Sequence, residues 1–235
     1  INLAIPTGIV CGFLGPNGAG KTTAMRMLCG ILEPTSGSGK VLGFDIATQS
    51  ELIKQHIGYM SQKFSLYDDL TVWENLNFYA GLYNLSGSTK HQRIKEMIEL
   101  AQLKERQDQL VGTLSLGFKQ RLALGCALIS HPKLVFLDEP TIGLDVIAKE
   151  KIREFILEQN KKGITFILTT HDLEDVEHLA KRVIVVNHGE IVFDNTMDNL
   201  RTHLGDKKAV HITTRKKLPS LEQEGIFIRN KVSDY

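Results

Sequence analysis

The chain has 235 residues, 42% of them hydrophobic and 23% charged, with a formal net charge of +1. That length supports one large core, or one core with a small inserted subdomain, and the near-neutral balance argues against nucleic-acid binding driven by bulk charge. No apolar run reaches the ~20 residues a membrane-spanning helix needs; the densest, residues 122–129, reads as a core helix, and no signal peptide is visible.

In chain order, residues 1–5 look strand-like, which suggests that the natural N-terminus lies upstream. Residues 8–14 read as a buried strand. They feed Gly15-Pro16-Asn17-Gly18-Ala19-Gly20-Lys21-Thr22, which fits the phosphate-binding pattern G-x-x-x-x-G-K-[ST]. Residues 22–29, beginning Thr22-Thr23, read as the helix that leaves the loop. Glycines let the backbone turn successive N–H groups toward a phosphate, where a Cβ would obstruct. The helix N-terminus adds positive potential at the same point. Lys21 reaches the β- and γ-phosphates as a point charge, and the Thr22 hydroxyl is placed to ligate Mg²⁺. The stretch therefore names a nucleoside triphosphate with Mg²⁺ as the ligand.

Beyond it, residues 33–37 read as a turn, and residues 40–44 and 57–60 as strands, the second ending at Ser61-Gln62. Thr71-Val72-Trp73-Glu74 is a capping box opening an amphipathic helix through Ala80. A second helix is predicted over 89–103, with Ile94, Met97, Ile98 and Ala101 at helical spacing. Residues from about 68 to 130 thus read as a mostly helical insertion. Residues 134–137 resume the buried strands. A long helix follows Asp145, then a strand over 164–169, a helix over 172–179, a strand over 183–186 and a hairpin turn at Asn187-His188-Gly189. The alternation predicts an α/β fold with a parallel or mixed sheet. Residues 206–235 are basic and proline-broken, with a strand-like stretch at 209–213, and suggest no role. The three cysteines, at 11, 29 and 126, lack metal-ligand spacing and read as small buried hydrophobes.

Leu134-Val135-Phe136-Leu137-Asp138-Glu139 puts two carboxylates at the end of an apolar run. The exposed C-terminal ends of buried parallel strands are where α/β sheets bind ligands. An Asp138 there can hold Mg²⁺, and Glu139 can polarise a water for attack on a γ-phosphate.

Thr113-Leu114-Ser115-Leu116-Gly117-Phe118-Lys119-Gln120-Arg121-Leu122 stands where the ATP-binding-cassette (ABC) ATPases carry L-S-G-G-Q followed by a basic residue, Gln and Arg. With the P-loop, Gln62, Asp138-Glu139-Pro140-Thr141, Gly143-Leu144-Asp145 and Thr170-His171-Asp172, the chain resembles that family over nearly its whole length, in order and in spacing. The resemblance implies one ABC ATPase domain over residues 1–205, with the P-loop NTPase core and the inserted helical subdomain. It implies ATP and Mg²⁺ as ligands, held by Gly15, Pro16, Asn17, Gly18, Ala19, Gly20, Lys21, Thr22 and Thr23, with Thr22, Gln62 and Asp138 around the metal. Lys21, Gln62, Glu139 and His171 are the implied catalytic set: Gln62 touches Mg²⁺ and the attacking water, and His171 reaches the γ-phosphate. Two such domains, identical or different, pair head to tail around two ATP molecules. Ser115, Leu116 and Gly117 then face the partner's nucleotide at the start of a helix beginning near Lys119, and Asp145 lines the dimer contact. Two departures stand out: Leu116 replaces the first signature Gly, and Phe118 the Gln. The family's adenine-stacking aromatic lies upstream of the P-loop in a segment with no counterpart here.

Leu-Ser-Leu-Gly and residues 140–149 look like a bacterial exporter branch whose ATPases pair with separate membrane permeases of the ABC-2 type, some linked to drug efflux. That implies a cytoplasmic protein held on the inner face of the cell membrane by its permease, with no nucleic-acid partner. Phe64, Leu66, Tyr67 and Leu70, apolar residues in a loop just after Gln62, form the expected docking surface. A soluble ABC ATPase acting on DNA or ribosomes is the alternative. It fits less well, because only about 95 residues separate P-loop and signature, without sustained heptads, and there is one cassette. A small-molecule kinase would leave the signature and Asp145 unexplained.

Overall fold

In the computed structural model, which describes residues 1–204, the first apolar run becomes β1 (Val10–Leu14), and the P-loop passes into α1 (Lys21–Leu28). The stretch 40–44 is a small antiparallel hairpin instead of one strand: β2 (Lys40–Val41) pairs with β3 (Phe44–Asp45). Leu42 and Gly43 turn it, with φ of 52° and 89°, and a non-glycine residue in that left-handed region gives no clear sequence signal. α2 (Ser50–His56) then leads into β4 (Ile57–Met60). Residues 1–5 form no strand.

Between β4 and the next strand of the main sheet the chain is helical. α3 (Val72–Leu82) starts at the capping box, with both reciprocal Thr71–Glu74 bonds formed. α4 is Gly87–Leu100, so it begins before residue 89 and ends short of 103. α5 (Leu116–Leu128) begins three residues ahead of Lys119, because Ser115 already stands at the N-cap. Leu76, Ile94, Met97, Leu122 and Leu128 pack these helices into a core shared with Val135, Leu137 and Phe166 of the sheet. Buried Arg93 on α4 donates to the carbonyls of Leu128 and Ile129 at 2.7 and 3.1 Å, satisfying the C-terminal end of α5. Buried Asn75 exchanges hydrogen bonds with the backbone of Tyr67 at 2.9 and 3.0 Å, fixing the loop after Gln62. Gly58 is where α5 crosses β4: a Cβ there would stand 2.1 Å from the Ala127 carbonyl oxygen.

The chain then alternates through β5 (Leu134–Asp138), α6 (Val146–Lys161), β6 (Thr165–Thr170), α7 (Leu173–Leu179) and β7 (Arg182–Asn187). It closes with β8 (Glu190–Asn195) and α8 (Met197–Leu204). The six-stranded sheet runs β4-β5-β6-β1-β7-β8, with only β8 antiparallel. Every residue of β5 and β6 is buried, as expected of strands covered on both faces. The register aligns Leu14 with Thr170 and Asp138 with Thr169. The P-loop, Asp138-Glu139, His171 and Gln62 therefore leave one edge of the sheet, the C-terminal edge where such sheets bind ligands.

All three cysteines are buried, and burial pushes the Cys11 thiol up to about 12. No helix among the described residues is long and apolar enough to cross a membrane. The extension at 206–235, with its strand-like stretch at 209–213, lies outside the described residues.

Candidate active site

The P-loop is held by what surrounds it. Gly18 and Gly20 take φ of 80° and 102°, the left-handed region that favours glycine. Gly15 admits no side chain, since a Cβ would stand 2.2 Å from the Val186 carbonyl oxygen. The β7–β8 hairpin braces the loop from the same side, Gly189 N donating to Ala19 O at 2.9 Å. Lys21, 6% exposed, donates through Nζ to the carbonyls of Gly15 and Pro16 at 2.6 and 3.2 Å, and stands 3.9 Å from Glu139 Oε1. The ammonium thus lies over the mouth of the loop, facing the first carboxylate it meets.

At the strand ends, Thr22 Oγ1 donates to Asp138 Oδ1 at 3.0 Å, and Thr169 Oγ1 donates to the same oxygen at 2.5 Å. The other oxygen, Asp138 Oδ2, is buried and has no hydrogen-bond partner. An orphaned buried carboxylate oxygen beside a P-loop threonine is the donor set a hard divalent cation takes. Glu139 is 6% exposed and has a φ of 52°. Its N–H donates to Thr169 Oγ1 at 3.1 Å, and its Oε2 lies 3.0 Å from His171 Nδ1. A cavity of about 340 Å³ opens in front, lined by P-loop residues 17–23, Gln62, Glu139 and Ile142. The arrangement can hold a triphosphate, a cation and a water beside one carboxylate.

The signature residues lie elsewhere. Ser115, Leu116 and Gly117 do not line that cavity. Ser115 caps α5 without a side-chain bond, which leaves the first amides of that helix free. The start of α5 rests on the loop before α6: a Cβ on Gly143 would stand 3.2 Å from Leu116 Cδ2, and one on Gly117 3.3 Å from Ala148 Cβ. Asp145 caps α6, accepting from Ala148 N at 2.9 Å. Its neighbours Val146 and Ile147 are 79% and 74% exposed. Phe118 lies between the guanidinium groups of Arg106 and Arg121, 4.3 and 4.5 Å from its ring centroid, so its ring packs within the helical layer.

Sequence reasoning missed Thr169, which anchors both Asp138 and the Glu139 backbone. It named Thr141 only as part of a motif and missed its buried partners Arg153 and Asp175. These are ordinary residue types; strand register brings Thr169 to the site, and the packing of α6 and α7 brings Arg153 and Asp175 to Thr141.

A glycine-rich anion cradle at a helix N-terminus, with carboxylates at parallel strand ends beside it, defines a P-loop nucleoside-triphosphate-binding protein. The chain belongs to the ABC transporter ATP-binding family: the family model described as ABC transporter matches residues 1–142. It is 45% identical over 204 residues to the probable multidrug ABC transporter ATP-binding protein YbhF of Escherichia coli, covering 86% of this chain and 35% of that protein. It is 35% identical over 205 residues to the daunorubicin/doxorubicin resistance ATP-binding protein DrrA of Streptomyces peucetius, covering 87% of this chain and 62% of that one. The chain thus spans about a third of the first relative's length and less than two thirds of the second's. Among solved structures, it resembles the ATP-binding cassette MJ0796, in a dimeric post-hydrolysis state bound to ADP and Pi, with a TM-score of 0.76 and 26% identity over 84% of this chain and 89% of that one.

Proposed function

We propose that the chain is the nucleotide-binding subunit of an ABC transporter, hydrolysing MgATP in a head-to-tail dimer to drive export through a separate membrane permease. The observation that carries this reading is the convergence of Lys21 and His171 on the Glu139 carboxylate, with Asp138 bonded to Thr22 beside it at the P-loop. The loop amides and Lys21 bind the phosphates. Thr22 and Asp138, with Gln62 across the cavity, would hold Mg²⁺, which supplies positive charge against the phosphate oxygens when bound. Glu139 polarises the attacking water, and His171 contacts the γ-phosphate and holds Glu139 in place.

The free amides at the start of α5 suit a phosphate presented by a second ATPase subunit. The exposed apolar pair Val146-Ile147 beside Asp145 suits burial in the same contact. Whether that subunit is another copy or a different chain sets how Leu116 is accommodated. The drug-resistance and multidrug names of the relatives support export.

The permease side of the reading rests on a second cavity, of about 810 Å³, lined by Phe64, Leu66, Tyr67, Phe78, Leu82 and Tyr83 among others. Tyr67, Phe78 and Leu82 are 47%, 43% and 64% exposed, an aromatic groove suited to an apolar helix of an ABC-2 type permease. Leu70 does not line it; its carbonyl accepts from Val111 N at 2.9 Å. Such docking would hold the chain on the cytoplasmic face of the membrane.

The test is a tagged pull-down of the full-length chain from detergent-solubilised membranes, with mass spectrometry of what elutes. A stoichiometric polytopic membrane protein is expected, and it should be lost with Leu66→Ser and Tyr67→Ser together. Ribosomal proteins or nucleic acid in its place, or unchanged co-purification by the double variant, would contradict the corresponding part of the reading.

A further inference from the structure

Behind the site, away from the P-loop, lies a buried ionic network. Asp175 on α7 is 0% exposed and Arg153 on α6 is 3% exposed. Arg153 donates to Asp175 Oδ1 through Nη2 and Nε at 2.7 and 2.9 Å, and through Nη1 to Glu174 at 3.2 Å. The other Asp175 oxygen accepts from the Thr141 hydroxyl and lies 3.5 Å from Thr170 Oγ1. Thr141 follows Glu139 by two residues, and Thr170 immediately precedes His171. One carboxylate thus ties together the two chain segments that carry the facing side chains of the site.

Packing alone does not account for it. A buried ion pair carries a large desolvation cost, and a well-packed hydrophobic cluster can match its stability. What a carboxylate adds is direction: it fixes the hydroxyls that donate to it. Direction is what Glu139 needs, since its left-handed backbone persists only where its surroundings over-determine it. Its amide is fixed by Thr169 on one side, and the chain just beyond it by Thr141 on the other.

We propose that Thr141, Asp175 and Arg153 are positioning residues for hydrolysis, holding Glu139 and His171 in register with each other without touching the nucleotide. The inference rests on the reading of Glu139 and His171 as groups that act in hydrolysis. None of the three lines the cavity in front of the P-loop, so their loss should change turnover and spare ATP binding.

The test compares Thr141→Val, which removes the hydroxyl and keeps the volume, with Thr141→Ser, which keeps the hydroxyl, both in the full-length chain. Thr141→Val is expected to lower kcat about tenfold or more by loosening the geometry, with KM for ATP held within about twofold. Thr141→Ser should stay near wild type. A folded Thr141→Val protein with wild-type kcat, or a Thr141→Ser protein as impaired as it, overturns the proposal. The ¹⁵N shift of His171 Nδ1 supplies a second readout: it should move in Thr141→Val and not in Thr141→Ser, and an unmoved shift in Thr141→Val also overturns the proposal. A wild-type chain that hydrolyses no ATP would defeat the proposed function, while the imidazole spectrum would still decide this inference. Should Thr141→Val fail to fold, Asp175→Asn carries the same comparison with the same expected directions.

Discussion

Glu139 Oε2 and His171 Nδ1 stand 3.0 Å apart although the two residues leave different strands, β5 and β6. The parallel register that aligns Asp138 with Thr169 makes this contact. On its other side, Glu139 Oε1 lies 3.9 Å from Lys21 Nζ. The carboxylate is therefore held between two nitrogen-bearing groups, one at the end of the phosphate-binding loop and one just past the end of β6.

Lys21 donates to two loop carbonyls and lines the cavity in front of the P-loop, where the proposed function puts the phosphates. Lys21→Ala should weaken ATP binding about ten- to a hundredfold, the loss of one or two charge-assisted contacts. Titration with a fluorescent ATP analogue checks this. An unchanged affinity would show that the loop does not bind the triphosphate.

Gly58→Ala should destabilise the fold by about 3 kcal/mol, because its Cβ meets the Ala127 carbonyl of α5 and forces the helical layer off the sheet. The obstruction is backbone, 2.1 Å away, and cannot swing aside. Urea unfolding followed by circular dichroism measures it, and a midpoint equal to wild type would mean that α5 does not cross β4 at this distance.

The Lys149–Asp172 pair, 2.5 Å apart, links α6 to the N-cap of α7 just after His171. The hydrogen bond from Lys149 is the main cause that holds the Asp172 carboxyl below its usual 3.8. The same bond is the main cause that raises Lys149 above its usual 10.5. A depressed carboxylate contributes stability above its unfolded pKa and loses it as pH falls through the folded value. A raised lysine contributes below its unfolded pKa and loses it as pH rises through the folded value. Lys149→Met should therefore be less stable than wild type by about 1 kcal/mol at neutral pH, as expected for a partly exposed pair. The gap should hold between those two ordinary values and close outside them, at either end. Thermal unfolding across pH tests it; a gap that widens in acid contradicts the assignment.

Where local chemistry decides structure, the sequence was readable. The P-loop, the Thr71–Glu74 capping box and the hairpin at Asn187-His188-Gly189 each depend on residues within a few positions of one another, and each is present. The turn at Leu42-Gly43 was not readable, because it asks a leucine to adopt a backbone that leucine rarely takes. The early start of α5 was missed because Gly117 is a weak helix former, while Ser115 at the N-cap decides the boundary. In the site, the motif residues were legible one by one. Their mutual contacts were not: Thr169 reaches Asp138 through sheet register, and Asp175 reaches Thr141 through the packing of α7 beside the strand ends, each joining residues some thirty positions apart.

The central claim is that Glu139 acts on the water that attacks ATP, and steady-state ATP hydrolysis by the full-length chain with Mg²⁺, wild type beside Glu139→Gln, tests it most directly. The account predicts measurable turnover in wild type and a loss of about a hundredfold or more in Glu139→Gln, with ATP still bound and the variant shifted toward an ATP-held dimer. Wild-type turnover by Glu139→Gln would contradict it.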